Sequence, residues 1–451
     1  MDAVLAVQMV LNIVEPQSSG IGGGGFLLYF DNKEKRLTFY DGREIAPTKI
    51  KKEFFLDDNG NPQKFYDIAI GGLAVGVPGL VSMLEMAHNK HGLLEWKDLF
   101  NPAIKISNDG FKISKRLHRA IKKDTYLYLI PKSKKYFYRK NKKYIKLIPK
   151  MKDEIQPKNM RDTLRNKEFA ETLKIISLKK SKGFYQGKIA KNIVNTVQNS
   201  PIRKGVINLN DLKNYKAKIR KPLCGSYKKY KVCSSPLPSA GGFSILQVLG
   251  IIEEFDLSKD KINEDIFLIL EAIKYSYNDR YKYLGDPDFL NIKIDELLSK
   301  KYLKTISSQI KSDKKNDVKF FKKNESFIPT STTHFSIIDT YGNVASITSS
   351  IENVFGSRLM TNGFLLNNQL SDFNYKIEND LFSKNIIEPK KRPLSSMSPT
   401  IVFDENNNVK MVIGSPGGKN IPMYVIKTIV GVLDWEMKIE DAIDFPNFTI
   451  H

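Results

Sequence analysis

The sequence predicts a mixed α/β fold in which helices cover stacked sheets, an αββα-like sandwich. Residues 160–220 have helical patterns, and helices return in ILQVLGIIEEF and EAIKYSYNDRYKYLGDPDF. A charged stretch, KSDKKNDVKFFKKNES, has the composition of an exposed linker. The next segment, HFSIIDTYGNVASITSS, has two β-rich halves around the turn signal TYGN. Helix-rich sequence followed by strand-rich sequence favours layered sheets and helices.

The composition excludes two broad classes of protein. Of the 451 residues, 41% are hydrophobic and 11% aromatic, enough for a large core and too many for a disordered chain. No apolar run of about 18 residues is present, so no membrane-spanning helix is expected.

The opening MDAVLAVQMVLNIV lacks the basic region and cleavage site of a secretory signal. This segment is typical of a helix that starts before residue 1, and the ending FPNFTIH is typical of the first residues of a strand. We therefore expect the sequence to be truncated at both ends.

The chain is strongly basic, with 72 Lys and Arg against 49 Asp and Glu and a net charge of +23. Such an excess is found in proteins that bind nucleic acid, anionic membranes or acidic ligands. Because the chain is also rich in Ile and Asn, we favour a biased composition with Lys at ordinary surface positions. The basic, aromatic segment SKKYFYRKNKKYIKLIPKMK is predicted to be an exposed hairpin centred on Asn141, and no nucleic-acid partner is expected.

The cysteine count is too low for a disulfide framework. Cys224 and Cys233 flank GSYKKYKV, which is predicted to be a hairpin. A disulfide across that hairpin is geometrically possible, but we favour two free thiols.

A cluster of hydroxyl residues lies where the charged linker meets the first strand, in IPTSTTHFSIID. Taken alone, such a cluster is usually a loop. Cleavage of the Ser331–Thr332 bond, however, would give Thr332 a free α-amine with a pKa of about 7.7–8.0 beside its own hydroxyl. Nucleophile and base would then lie on one residue, without a His or Asp relay. This chemistry suits a chain with five His.

Other motifs supply groups that an acyl-transfer site needs, although each alone has an ordinary structural explanation. The segment GSPGG offers backbone N–H donors for an oxyanion, and removal of one such donor typically costs about 3–4 kcal/mol. The guanidinium of Arg43 in DGREIAP can hold a carboxylate with two hydrogen bonds. The remaining candidates are Gln369 and Asp372 in LLNNQLSDF, and Ser395 and Ser396 in KRPLSSMSPT.

Taken together and in this order, the motifs resemble those of the gamma-glutamyltranspeptidases, also called glutathione hydrolases. The resemblance rests on EPQSSGIGGGGFLLYF, DGREIAP, LPSAGGFSILQVL, EAIKYSYNDRYKYLGDPDF, TTHFSIID, LLNNQLSDF, KRPLSSMSPTIV and GSPGG, and it covers nearly the whole chain from Asp2. It implies an N-terminal-nucleophile hydrolase fold, made as a proenzyme that cleaves itself. The large subunit would be residues 1–331 and the small subunit residues 332–451, forming a heterodimer. The resemblance implies that the family's opening helix and closing strands lie outside this sequence.

The resemblance also assigns roles to single residues. It implies that Thr332 is the nucleophile, that Ser350 is the second hydroxyl beside it, and that Gly417 and Gly418 form the oxyanion hole. The α-carboxylate of the substrate would bind Arg43, Ser395 and Ser396, and its α-ammonium would bind Glu352, Gln369 and Asp372.

This sequence departs from the family pattern at three points. The position of Ser350 is usually Thr, and Glu352 occurs in some bacterial members where others have Asn. The segment between Asp372 and KRPLSS is also shorter than in members with a lid loop, which favours a more open site.

The implied reaction is attack of Thr332 on the γ-amide of glutathione or another γ-glutamyl compound. Water, an amino acid or a dipeptide would then accept the glutamyl group, with no metal or cofactor, in a periplasmic or secreted enzyme. One alternative is a glutaryl-type β-lactam acylase, which Arg43 together with Glu352 and Asp372 disfavours because a glutaryl group has no ammonium. The other is an uncleaved, inactive homologue that binds partners through its basic surface, which the change at Ser350 keeps open.

Overall fold

The structure is a computed structural model that describes residues 1–140, 155–310, 331–377 and 383–450, with Lys140 described by its backbone alone. The helices are α1 (Asp2–Val14), α2 (Phe65–Ala69), α3 (Leu80–His91), α4 (Asn101–Asp109), α5 (Lys115–Lys123), α6 (Pro131–Phe137), α7 (Lys167–Tyr185), α8 (Gly187–Gln198), α9 (Leu209–Lys213), α10 (Ala240–Ile252), α11 (Ile262–Tyr283), α12 (Ile294–Leu297), α13 (Lys300–Ser307), α14 (Ile421–Leu433) and α15 (Ile439–Asp444). The strands are β1 (Gly24–Asp31), β2 (Arg36–Gly42), β3 (Phe111–Lys112), β4 (Tyr138–Lys140), β5 (Ile155–Pro157), β6 (Thr163–Leu164), β7 (Lys218–Arg220), β8 (Leu223–Tyr227), β9 (Tyr230–Ser234), β10 (Thr333–Ile338), β11 (Val344–Ser350), β12 (Met360–Thr361), β13 (Phe364–Leu365), β14 (Thr400–Phe403) and β15 (Val409–Ile413).

Two antiparallel sheets form the centre of the molecule. The first has the strand order β10-β11-β1-β2-β7, and the second has the order β15-β14-β9-β8. Strand β1 pairs with β11 from Gly24 opposite Ser350 to Phe30 opposite Val344. The sheet therefore joins strands from the beginning of the chain with strands that follow residue 331.

Alternate residues of β1 face different layers. Leu27 and Tyr29 belong to a core shared with residues of α1, α3 and α7, whereas Phe26, Leu28 and Phe30 belong to a core shared with the second sheet and with α10, α11 and α14. A strand buried on both faces needs cover on both faces. The order of layers is helix, sheet, sheet, helix, which confirms the predicted αββα sandwich.

Two predictions about the surface are wrong in part. Cys224 and Cys233 lie opposite each other on β8 and β9 and form a disulfide, with Cα atoms 4.1 Å apart, so they are not free thiols. In the predicted basic hairpin, residues before Phe137 form α6, and β4 pairs with β5 rather than with the residues directly after Asn141. Asn141 itself and the predicted linker KSDKKNDVKFFKKNES lie outside the described residues.

Among the residues described, no helix is both long and apolar enough to cross a bilayer.

Removal of a side chain from between the two sheets should destabilise the sandwich. Leu28→Ala deletes a fully buried group, and such changes cost about 2–5 kcal/mol. Urea unfolding followed by tryptophan fluorescence measures the effect. Leu93→Ala is the matched control, because Leu93 is 84% exposed and its truncation should change stability by less than about 0.5 kcal/mol. Equal losses in both variants would contradict the assigned layers.

Candidate active site

The Ser350 hydroxyl contacts both sides of the Ser331–Thr332 bond. Thr333 of β10 pairs with Ser349 of β11, and this register sets Thr332 beside Ser350. The Ser350 hydroxyl donates to the carbonyl oxygen of Ser331 at 2.9 Å and lies 3.3 Å from Oγ1 of Thr332. Thr332 is only 4% exposed. The structure therefore brings the two predicted hydroxyls together around the predicted cleavage site.

Glu352 lies against the same junction through its backbone. Its N–H donates to the Ser350 hydroxyl at 2.9 Å, and its carbonyl accepts from the N–H of Ser331 at 3.2 Å. Its φ of 76° is in the left-handed region, which is costly for a residue with a side chain and is often found at functional sites. The Oε2 atom is buried without a hydrogen-bond partner among the described residues. Burial raises the pKa of Glu352 well above its usual range, and the negative charge of Asp372 raises it further.

Arg43, Gln369 and Asp372 form one polar group, in which Arg43 and Gln369 are buried and Asp372 is 27% exposed. Arg43 Nη2 donates to Asp372 Oδ2 at 2.6 Å, and Gln369 Nε2 donates to the same oxygen at 2.6 Å. Arg43 also donates from Nε to the carbonyl of Pro393 at 3.0 Å and from Nη2 to that of Leu394 at 3.2 Å. The residues expected at opposite ends of a zwitterion are thus in direct contact, and Arg43 also holds the segment that leads to Ser395.

The segment with Ser395 and Ser396 is fixed by its backbone. Ser395 N–H donates to the Pro238 carbonyl at 2.8 Å, and Ser395 O accepts from Ala240 N–H at 3.0 Å. The Ser395 hydroxyl accepts from the N–H of Met397 at 3.1 Å. Both predicted serines are buried beside Arg43, but the structure shows no direct contact of their hydroxyls with its guanidinium among the described hydrogen bonds.

The glycine pair Gly417 and Gly418 follows β15 in a loop that needs positive φ angles, 138° and 57°. The loop begins beside β10, because a Cβ on Gly414 would lie 2.2 Å from the ring of His334. The charge of Lys419, next in the chain, lowers the pKa of Glu352 against the upward effect of burial. The described contacts thus connect this loop to the site through the nearby residues Gly414 and Lys419, and not through a direct contact of Gly417 or Gly418 with Thr332.

His334, two residues after Thr332, is engaged elsewhere. Its Nδ1 lies 2.9 Å from the Thr348 hydroxyl and its Nε2 lies 3.1 Å from the Ser336 hydroxyl. Burial lowers the pKa of His334 to about 4, so the ring is neutral near pH 7. Both ring nitrogens of His334 therefore lie against the hydroxyls of Thr348 and Ser336 and not against that of Thr332.

Glu44 is a buried carboxylate that the sequence analysis did not identify. It lies 3.6 Å from Nη1 of Arg43, and neither of its oxygens has a hydrogen-bond partner among the described residues. Burial raises the pKa of Glu44 to about 7, against the lowering effect of Arg43. The signal was its position directly after Arg43 in DGREIAP.

Asn367 is a second residue that was missed, although it lies within LLNNQLSDF. Its Nδ2 donates to the carbonyls of Gly22 and Gly76, both at 2.8 Å. Its Oδ1 accepts from the N–H groups of Gly76 and Gln369, both at 2.9 Å. This one side chain therefore fixes the glycine-rich loop before β1 relative to the turn that carries Gln369 and Asp372.

The described residues contain no group of three or more His, Cys, Asp and Glu side chains arranged to hold a metal ion.

Comparisons with known proteins place these features in one family. The family model described as Gamma-glutamyltranspeptidase matches residues 1–451. The chain is 36% identical to the glutathione hydrolase proenzyme of Bacillus subtilis (strain 168) over 465 residues, which cover 99% of this chain and 76% of that protein. It is 34% identical to the Helicobacter pylori gamma-glutamyltranspeptidase crystal structure, with a TM-score of 0.64 over 71% of this chain and 88% of that chain. The cephalosporin acylase from Bacillus halodurans is 22% identical, with a TM-score of 0.79 over 99% of this chain and 78% of that one, and so shares the fold.

Glu44 should make stability depend on pH. Its pKa of about 7 is above the ordinary value of 4.5, so the folded protein is favoured while Glu44 is protonated, and this contribution is lost as pH rises from about 4.5 through 7. Glu44→Gln should reduce the fall in unfolding free energy over that range by up to about 3 kcal/mol. Unfolding by urea at several pH values measures this, with the exposed Glu53→Gln as control. A pH dependence unchanged in Glu44→Gln would contradict the burial of an ionisable group there.

Proposed function

This chain belongs to the gamma-glutamyltranspeptidase family, and from that premise we propose that it is a self-cleaving γ-glutamyltransferase and glutathione hydrolase with Thr332 as nucleophile. The observation that carries the proposal is the Ser350 hydroxyl, which lies between the Ser331 carbonyl and the Thr332 hydroxyl. A loop without a catalytic role would require neither a buried hydrogen-bond donor to the Ser331 carbonyl nor a second buried hydroxyl beside Thr332. The fold is that of the N-terminal-nucleophile hydrolases.

Cleavage begins with attack of Thr332 Oγ1 on the carbonyl carbon of Ser331. The hydrogen bond from Ser350 stabilises the negative charge that develops on the carbonyl oxygen. The peptide C–N bond breaks, the Thr332 nitrogen takes up the hydroxyl proton, and an ester joins the Ser331 carbonyl to Oγ1. Water hydrolyses this ester, leaving a carboxylate on Ser331 and a free amine on Thr332. The products are subunits of residues 1–331 and 332–451.

The freed amine then serves as the base for turnover. The amine removes the proton from Oγ1, and Oγ1 attacks the γ-carbonyl carbon of the substrate. The protonated amine then passes that proton to the departing amine of the substrate as the amide C–N bond breaks. The resulting γ-glutamyl ester on Thr332 is cleaved by water or by the amine of an amino acid or dipeptide. In this proposal the N–H groups of Gly417 and Gly418 donate to the oxyanion formed in each half-reaction.

The polar groups near Thr332 suit a zwitterionic glutamyl group. Among the described residues, Glu352 Oε2 and Gln369 Oε1 are both buried acceptors without hydrogen-bond partners, and Asp372 adds a third acceptor group. A buried acceptor left unpaired costs about 1–3 kcal/mol, which an α-ammonium would recover. Arg43, with the serines of KRPLSS, supplies the cationic end for the α-carboxylate. In this proposal, substrate binding replaces part of the Arg43–Asp372 contact. Arg43 then binds the α-carboxylate of the substrate, and Asp372 binds its α-ammonium.

Glutathione is the proposed donor because relatives with this sequence pattern are named glutathione hydrolases. The reaction needs no group beyond the side chains, backbone amides and water named above.

Substitutions at the junction should separate cleavage from folding. Thr332→Ala should give a folded, single-chain, inactive protein because the attacking hydroxyl is gone. Ser350→Ala should slow cleavage by about 100-fold or more, the usual cost of one oxyanion donor. Denaturing gels over time measure both. Ser349→Ala is the matched control, since this neighbouring hydroxyl bonds to Gln8 on the other face of the strand, and it should cleave normally. Normal processing of Thr332→Ala would refute the assignment.

Substrate choice should depend on the acceptor groups. The wild-type enzyme should turn over γ-glutamyl p-nitroanilide with kcat/KM about 100-fold above that of glutaryl p-nitroanilide, because a bond to a charged group is worth about 1.5–3 kcal/mol. Glu352→Gln should lower kcat/KM for the glutamyl compound and leave the glutaryl rate nearly unchanged. A wild-type preference for the glutaryl compound would instead support the acylase alternative.

A further inference from the structure

The positive charge of the chain is concentrated in one part of the structure. Residues 111–139 and 155–167, here called the basic subdomain, carry 14 Lys and Arg against two Asp. Their net charge of +12 is more than half of the +23 of the whole chain, in 42 of its 451 residues. This distribution differs from the even spread that a Lys-rich composition predicts. Of the 14 basic side chains, all but Lys158 are exposed.

Helix α5 shows how this charge is displayed. Leu117 and Ile121, four residues apart, are buried and attach the helix to the protein. The opposite face is cationic along the whole helix and consists of Lys115, Arg116, Arg119, Lys122 and Lys123. Helix α6 continues this surface with exposed Lys132, Lys134 and Lys135.

The two acidic residues of the basic subdomain neutralise little of this charge. Asp124 is buried and pairs at 2.9 Å with Arg358, which lies outside the subdomain. Asp162 pairs at 3.4 Å with Arg139. Outside the subdomain, Glu15 pairs with Arg116 of α5 at 3.4 Å and Glu168 pairs with Lys132 of α6 at 3.9 Å. The other basic residues of α5 and α6 have no ion pair among the described residues, so the exposed surface of these helices stays positive.

Exposed apolar side chains lie in the same subdomain. Tyr128 is 44% exposed, Leu129 is 45% exposed and Met160 is 49% exposed. Tyr128 and Leu129 lie in the short connection between α5 and α6. A soluble polyanion gains little from aliphatic groups such as Leu129 and Met160, whereas a lipid surface accepts apolar side chains below its headgroups.

We propose that the basic subdomain binds the surface of bilayers that contain anionic lipids. Lys and Arg of α5 and α6 would contact the headgroups, and Tyr128, Leu129 and Met160 would enter the interface. Each basic residue near such a surface strengthens binding by about fivefold, so a cluster of this size is sufficient for peripheral attachment.

Such attachment would place the active site at the membrane surface. The core of the basic subdomain includes Ile351 and Phe355, which flank Glu352, and the Arg358–Asp124 pair adds a buried link to the same segment. The inference goes beyond the proposed chemistry and does not depend on it, because the charged surface is present whether or not the Ser331–Thr332 bond is cleaved.

Vesicle sedimentation of the full chain tests the proposal. The protein should sediment with phosphatidylcholine vesicles that contain phosphatidylglycerol, should remain soluble with phosphatidylcholine alone, and should be released by salt. Replacement of Lys115, Arg119, Lys122 and Lys123 by Gln should weaken binding by on the order of 100-fold. Leu129→Ser should weaken it by a few-fold and increase release by salt.

A matched control carries the same change in net charge on another part of the protein. It replaces Lys259, Lys300, Lys301 and Lys304 by Gln, all exposed near α10 and α13, and it should sediment like the wild type. An equal loss of binding in this control would overturn the proposal, since the effect would then follow net charge alone. Equal binding to neutral and anionic vesicles would overturn it as well. So would displacement from vesicles by a single-stranded oligonucleotide at stoichiometric amounts, which would assign the surface to nucleic acid.

Discussion

The hydrogen bonds of the Ser350 hydroxyl are the constraint on which the rest of the site depends. They exist because β11 pairs with β1 on one side and β10 on the other, so the register of three strands fixes Ser350 beside the Ser331–Thr332 bond. A slip of one residue would turn this side chain to the opposite face. The neighbouring Ser349 lies on that opposite face, where its hydroxyl donates to Gln8 of α1. The strand pairing that stabilises the sandwich therefore also fixes the position of the Ser350 hydroxyl in the site.

A second set of buried charges positions Arg43 and the KRPLSS segment, which are the proposed substrate-binding groups. Asp41 accepts from the N–H of Arg43 at 2.8 Å and pairs with Arg220 at 2.7 Å and Arg392 at 3.3 Å. Asp286, in the LGDPDF motif, accepts from the N–H of Arg392 at 2.7 Å. Motifs that lie far apart in the sequence thus meet to position Arg43 and the KRPLSS segment. Because these charges are buried, loss of one partner would leave another uncompensated, which is strongly unfavourable.

The layered fold could be predicted from the sequence because its signals are local: β-rich runs and turn residues each lie within a few neighbouring residues. The proximity of Ser350 to Thr332 was implied by the family resemblance and not by the hydroxyl cluster at Thr332, which alone is typical of a loop. The disulfide could not be predicted, because it depends on the register that sets Cys224 opposite Cys233. The direct Arg43–Asp372 contact and the burial of Glu44 likewise depend on how distant segments pack. The strand prediction before Phe137 failed because alternating aromatic and basic residues fit a short amphipathic helix as well as a strand.

The central claim is that Thr332 becomes an N-terminal residue with both a hydroxyl and a free amine. Intact-mass and N-terminal sequencing of the purified, active protein tests it most directly. The account predicts two fragments, the smaller of which begins at Thr332 with the sequence TTHFSIID. Active enzyme that retains an unbroken Ser331–Thr332 peptide, or a fragment that begins at any other residue, would contradict it.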